Sequence, residues 1–223
     1  RGTYVDDIAL PGLLHVAFVR SDRAHAVIRS VDVESALGVP GVVAVLRAED
    51  LAARARPLRA RNASPGYREC DMPILATRKV RMVGEPIAIV IAESRYAAED
   101  GVEAVRVDLE PLPEVVTIDQ ALADGAPVIH DEAPENLFNE FELTEGDVDA
   151  GLEQAAHVVE LELHQQRYGA VALEGRAVVA RPESDGKLTV WLSSQVPHLV
   201  RTGLAQSLGL PETAIRVISP DVG

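Results

Sequence analysis

The sequence VRMVGEPIAIVIAESRYAAEDGVEAVRVDLEPLPEVV, residues 80–116, predicts a strand, a helix and a second strand in succession. The apolar run at residues 86–92 follows a Gly-Glu turn and is typical of a buried strand. Ser94 is a favoured N-cap residue, and acidic side chains lie along the polar side of the helix that it would begin. Branched residues return at 106–110 before two prolines. This β-α-β order predicts an α/β sheet with mixed strand directions.

The residues before this stretch alternate between short strand-like and short helical runs. We predict strands over residues 13–20, 26–33, 42–46 and 80–83, and helical turns over 34–38 and 48–53. Residues 54–69 are rich in Arg, Pro and Gly and have no apolar period, which predicts a loop.

The residues after it begin with an acidic stretch, 124–145, that holds two prolines and has no sustained period. We interpret it as a linker that lies across a surface. Beyond it the patterns predict helices at 147–155 and 197–208, and strands at 157–165, 176–181, 188–193 and 215–219. Pro197 suits the first turn of the second helix and Gly209 suits its end. The turn Ser184-Asp185-Gly186 joins two of the strands.

Composition and charge restrict the class of protein. The 223 residues carry 21 basic and 35 acidic side chains, a net charge of −14 that disfavours nucleic acid as a partner. The only cysteine, Cys70, excludes an internal disulfide and a cluster of thiolates that could hold zinc or iron–sulfur. One free cysteine suits a reducing cytoplasm, where we expect the protein. The longest apolar runs are too short to span a membrane.

Sequence motifs of common enzymes are absent, among them G-x-S-x-G, G-x-x-x-x-G-K, G-x-G-x-x-G and H-E-x-x-H. His157 and His164 would lie on opposite faces of one strand, which disfavours a shared metal.

The candidate that remains is Gln195 in WLSSQVPH, residues 191–198, where a strand runs into a helix. Free N–H groups and a partial positive charge at the helix start favour an electron-rich ligand, and the amide adds two more donors. Two interpretations stay open: Gln195 faces a ligand oxygen, or it satisfies nearby backbone groups.

Four blocks in order resemble the N-terminal part of the large subunit of molybdenum hydroxylases, the family of xanthine dehydrogenase, aldehyde oxidase and aerobic carbon monoxide dehydrogenase. The first is YVDDIALPGLLHVAFVRSDRAHAVI (residues 4–28), and the second is the stretch at 80–116. LEGRAVVA (173–180) and VWLSSQVPHLVRTGLAQSLGLPETAIRVISPDVG (190–223) complete the set. The resemblance covers nearly the whole chain.

This resemblance implies an α/β hammerhead domain at residues 1–123, the linker at 124–145, and the first part of a molybdopterin-binding α+β domain at 146–223. In the family, the Gln of an S-[ST]-Q motif donates a hydrogen bond to the apical oxo group on molybdenum, and Gln195 matches it without binding the metal directly. Gly223 matches the first glycine of a cofactor-binding G-G-x-F-G loop. Glu174 matches a family glutamate, for which we expect a structural role, paired with Arg176 or with a backbone amide.

The resemblance further implies an oxidoreductase that oxidises a purine, aldehyde, N-heterocycle or CO with oxygen from water. Its cofactor would be molybdenum-molybdopterin, with the cytosine dinucleotide as one possible form. The 2Fe-2S and FAD carriers would sit on an iron–sulfur subunit and an FAD subunit or on other domains, in a homodimer of heterotrimers. The catalytic glutamate is not matched, so we expect no catalytic residue here and no activity from residues 1–223 alone. The alternative is a hammerhead scaffold that docks to partner subunits without binding metal.

Overall fold

The computed structural model describes residues 2–60, 62–166 and 168–223. Its strands are β1 His15–Arg20, β2 Ala26–Asp32, β3 Val42–Arg47, β4 Leu58–Ala60, β5 Cys70–Met72, β6 Lys79–Val80, β7 Pro86–Ala92, β8 Arg106–Pro111, β9 Val178–Pro182, β10 Leu188–Leu192 and β11 Ile215–Ile218. Its helices are α1 Glu34–Leu37, α2 Ala48–Leu51, α3 Arg95–Ala104, α4 Ile118–Leu122, α5 Val148–Glu153 and α6 Pro197–Leu208, with 3-10 turns at Val5–Asp7 and Glu212–Ala214.

Strand β7 is the centre of the first sheet because its two edges pair antiparallel with β1 and β3. Its side chains are buried at Ala88, Val90 and Ala92. Helix α3 begins at its predicted cap, since the Ser94 hydroxyl accepts a hydrogen bond from the Ala97 N–H at 3.1 Å. Small residues on its buried face let α3 lie close to β7.

A second antiparallel sheet, in the order β6-β2-β8, covers the other side of the same core. Ala26 and Val80 are fully buried in it. Val31 and Val107 pack against the buried residues of both sheets, so the two sheets share one core. That core organises the first half of the chain around β7.

The third sheet has the order β11-β10-β9 and belongs to the second half of the chain. Its β9–β10 pair is an antiparallel hairpin that turns at Gly186, whose φ of 80° favours glycine. The β10–β11 pair is parallel and is connected through α6. Helix α6 spans the predicted residues and ends at Gly209 in the left-handed conformation.

The mixed α/β class is confirmed. Among the described residues, however, the strand directions are mixed only in the third sheet and not around the β-α-β stretch at residues 80–116. All strand pairs of the first half are antiparallel, and the parallel pair is β10–β11. The loop predicted at 54–69 contains β4, which pairs with β5. The strand predicted at 80–83 ends at Val80, because Glu85 binds the Arg81 N–H and Gly84 turns the chain at a φ of 85°.

The strand predicted at 157–165 is wrong. These residues have no strand structure and no ladder partner among the described residues, and their side chains are exposed. Alternating side chains suit a strand, but a strand also requires a neighbour for its N–H and C=O groups.

Residues 124–145 contain neither helix nor strand, and residues 128–138 lie against the first half of the chain. Ala133 is fully buried there, and Lys79 donates to Asp131 at 2.9 Å. The Asn136 side chain holds the turn, accepting from the Ile129 N–H at 3.0 Å and donating to the Pro127 carbonyl at 3.0 Å. None of the helices in the described residues is long and apolar enough to cross a membrane.

Candidate functional site

The carboxyl ends of the parallel strands β10 and β11 lie at one edge of the third sheet. Trp191 is in register with Ile218, so the chain leaves both strands side by side. Gln195 follows β10, and Gly223 follows β11. Ligands of sheets with parallel strands bind at this edge. The parallel pairing thus brings the two predicted cofactor-binding residues to the same end of the sheet.

The two serines before Gln195 are occupied by backbone contacts. Ser193 Oγ accepts from the Ala177 N–H at 3.1 Å, while its own N–H donates to the Ala177 carbonyl at 3.2 Å. Ser194 Oγ accepts from the Val196 N–H at 3.2 Å, which tightens the turn into α6. Their hydroxyls shape the junction and leave Gln195 at its tip.

Glu174 and Gly175 connect the two strand ends. The Glu174 carboxylate accepts a hydrogen bond from the Gly223 N–H at 2.7 Å. The adjacent Gly175 carbonyl accepts from Ser193 Oγ at 3.4 Å. The expected role of Glu174 as a partner of a backbone amide is therefore confirmed, and that amide belongs to Gly223. A Cβ at Gly223 would lie 2.9 Å from the Glu174 Cβ, so this approach requires glycine.

The polar atoms left over at this edge are the ones that a ligand could use. Within residues 2–60, 62–166 and 168–223, Glu174 Oε1 and Ser219 Oγ are buried without a hydrogen-bond partner. The Gln195 side chain is exposed and makes no hydrogen bond to any described residue. The structure does not support the interpretation that Gln195 satisfies nearby backbone groups, because the serines fill that role. Its contact with a cofactor stays a prediction.

A second polar cluster lies where β5 meets residues 128–132, and the sequence did not suggest it. Cys70 Sγ is 3.6 Å from His130 Nδ1, and ligand atoms of Cys70, His130 and Glu132 all lie within 4.8 Å of one another. Burial raises the pKa of the Cys70 thiol, and the Glu132 carboxylate adds to this effect. Burial, with the nearby Arg81 charge, lowers the pKa of His130. Because 60 residues separate Cys70 from His130, no local motif could have revealed the cluster.

The two histidines that the sequence placed on one strand have simpler surroundings. His157 is exposed. His164 is also exposed, and its Nε2 lies 2.9 Å from Glu162 Oε1. The argument from strand faces does not apply to them, since the segment is not a strand.

Comparison with known protein families gives two matches that together cover most of the chain. Residues 1–113 match the a/b hammerhead domain of aldehyde oxidase and xanthine dehydrogenase. Residues 129–223 match a molybdopterin cofactor-binding domain. The second match includes both Gln195 and Gly223.

Individual relatives align with the whole chain. It is 40% identical to the nicotine 6-hydroxylase large subunit of Paenarthrobacter nicotinovorans and 37% identical to the carbon monoxide dehydrogenase large chain of Hydrogenophaga pseudoflava. Both alignments cover 100% of this chain, but only 27% and 29% of those proteins. The crystal structure of quinoline 2-oxidoreductase from Pseudomonas putida 86 superposes with a TM-score of 0.93 at 36% identity, covering 100% of this chain and 28% of that one.

Proposed function

Because the chain belongs to the aldehyde oxidase and xanthine dehydrogenase family, we propose that it is the N-terminal part of the molybdopterin-binding subunit of a molybdenum hydroxylase. The substrate would be a purine, aldehyde, N-heterocycle or CO. The molybdenum cofactor, when bound, supplies two-electron oxidation with oxygen taken from water. Iron–sulfur and FAD subunits would carry the electrons away, since one cysteine cannot hold a cluster.

The observation that carries this proposal is the bridge from Glu174 to the ends of β10 and β11. Its carboxylate fixes the Gly223 N–H, and the neighbouring carbonyl fixes Ser193. These contacts set the positions of Gln195 and Gly223 before a ligand arrives, which lowers the cost of ordering them on binding. The arrangement is that of a binding site that is already formed before the cofactor binds.

The residues at this edge fit a cofactor that is rich in oxygen and nitrogen. Gln195 would donate a hydrogen bond from its amide to a cofactor oxygen, without exchanging a proton. The first turn of α6 adds N–H groups that have no partner within the helix. Ser219 Oγ is a buried hydroxyl without a partner among the described residues, available to donate or accept. In this scheme Gln195 and Gly223 hold the cofactor, and Gln195 tunes it from outside the metal's ligands.

The test is the substitution Gln195→Glu in the whole protein. A carboxylate of the same shape cannot donate at neutral pH, so we expect turnover to fall by about 10–100-fold while the fold is kept. Molybdenum content by elemental analysis and steady-state kinetics are the two measurements. Full molybdenum with unchanged turnover would refute the role of Gln195.

The matched control is Gln206→Glu, an exposed glutamine on α6 that lies well beyond the first turn. It should leave molybdenum content and turnover unchanged. The unsubstituted protein separates the enzyme from the scaffold alternative. Molybdenum bound in proportion to protein supports the enzyme, and its absence from correctly folded, cofactor-supplied protein supports the scaffold.

A further inference from the structure

Three side chains with metal-binding atoms converge outside the edge described above. Cys70 lies on β5, while His130 and Glu132 come from the segment packed against it. Cys70 is buried, His130 is half-buried and Glu132 is exposed. The cluster therefore runs from the protein interior to solvent, and a small ion can reach it.

The spacing of the atoms fits a tetrahedral metal ion. Zinc–sulfur and zinc–nitrogen bonds of about 2.3 and 2.05 Å imply a sulfur–nitrogen separation of about 3.5–3.6 Å in a tetrahedral site. Cys70 Sγ and His130 Nδ1 are 3.6 Å apart. A hydrogen bond between the thiol and the imidazole would have a similar length, but it would not explain why the Glu132 carboxylate lies next to both groups. The Glu132 carboxylate oxygen lies within 4.8 Å of both atoms, and its side chain is exposed.

The charges around the cluster also suit a divalent cation. A thiolate and a carboxylate together balance the two positive charges of zinc. The nearest basic side chains are neutralised by other partners: Arg81 donates to Glu85 at 2.7 Å, and Lys79 donates to Asp131 at 2.9 Å. Neither cation is left to repel a metal unopposed.

We propose that Cys70, His130 and Glu132 bind a zinc ion, with water in the fourth position. Sulfur, imidazole and carboxylate ligands are a set that zinc accepts, and three protein ligands leave one site for solvent. The ion ties β5, in the first matched domain, to residues 130–132 at the start of the second. This site is separate from the edge that carries Gln195 and Gly223, and it does not depend on the proposed function.

Zinc retention by the whole purified protein tests the site. The protein is incubated with zinc chloride and dialysed, and its zinc is then measured by elemental analysis. We expect about one zinc ion per chain in the unsubstituted protein. Glu132→Gln should weaken zinc binding by at least about tenfold, and Cys70→Ala should abolish retention. Peptide mapping should also show that zinc slows alkylation of Cys70.

Two control variants match the chemistry of the ligands. Glu135→Gln removes a carboxylate that lies three residues after Glu132 in the sequence and pairs with Arg68. His164→Gln removes an exposed histidine that contacts Glu162. Both should retain zinc. Because Glu132 is exposed, its variant tests the site without disturbing the core. No retained zinc in the unsubstituted protein, or retention by Cys70→Ala and Glu132→Gln that equals that of the unsubstituted protein, overturns the proposal.

Discussion

At the scale of single residues, Gly101 shows how closely α3 lies on the first sheet. A Cβ built there would be 2.7 Å from Val90 Cγ1 and 2.9 Å from Val42 Cγ2. Both neighbours are β-branched strand residues with stiff side chains, and Val90 is fully buried. The helix can therefore approach only because position 101 has no side chain.

We predict that Gly101→Ala destabilises the protein although alanine is the better helix former. Overpacking a core costs about 1–3 kcal/mol of unfolding free energy. Replacing glycine by alanine gains about 1 kcal/mol in helix propensity, so the net effect is a loss of up to about 2 kcal/mol. Gly151→Ala is the control, since a Cβ on this exposed position of α5 meets nothing within 4 Å. It should be neutral or stabilising. Urea titrations followed by circular dichroism measure both, and equal effects would contradict the packing argument.

The residues of the candidate site were predictable to different degrees. The resemblance suggested Gln195 from a contiguous motif and Gly223 from the first glycine of another, and the cofactor contacts of both stay predictions. It also suggested an amide partner for Glu174, but which amide depends on the parallel register of β10 and β11. The Cys70–His130 contact was not predictable, since it joins a strand to a segment without regular structure.

At the scale of elements, the sequence predicted correctly the helix ends that carry a proline, glycine or serine capping residue. Helix α6 has Pro197 at its start and Gly209 at its end, and both bounds were predicted. Helix α3 has the Ser94 cap. The sequence predicted strands poorly where a strand forms only if another strand pairs with it. β4 forms because β5 pairs with it, and residues 157–165 find no partner in the described chain.

The cap of α3 gives the prediction at this scale. Ser94→Ala removes the acceptor of the Ala97 N–H and should cost about 1 kcal/mol of unfolding free energy. Ser94→Asp restores an acceptor and should recover most of that loss. Ser35→Ala is the control, because Ser35 is exposed within α1 and makes no side-chain hydrogen bond to a described residue. Its effect should stay within about 0.5 kcal/mol, and a larger loss than for Ser94→Ala would exclude the cap as the cause.

At the scale of the whole molecule, regular secondary structure and buried side chains are concentrated in the first half of the chain and in the third sheet. Three clusters of buried residues lie around β7 and α3. Residues 156–166 and 168–173, by contrast, carry apolar side chains on a backbone without regular structure, and Leu163 is 81% exposed. Exposed extended backbone with few contacts is the kind of segment that opens first and that proteases cut first.

Limited digestion with chymotrypsin should therefore cut the purified chain first within residues 141–173. Tyr168 and Tyr96 form a matched pair, because their side chains are 72% and 80% exposed while their backbones differ. Tyr168 and the described residues after it, up to 177, are in neither helix nor strand, whereas Tyr96 lies in α3. A protease must draw its substrate into an extended form, which would break the hydrogen bonds of α3 and its packing on β7. We expect cleavage after Tyr168 well before cleavage after Tyr96, followed by mass spectrometry over time. Equal rates at the two tyrosines would mean that side-chain exposure alone governs cutting and that α3 is not held by the core.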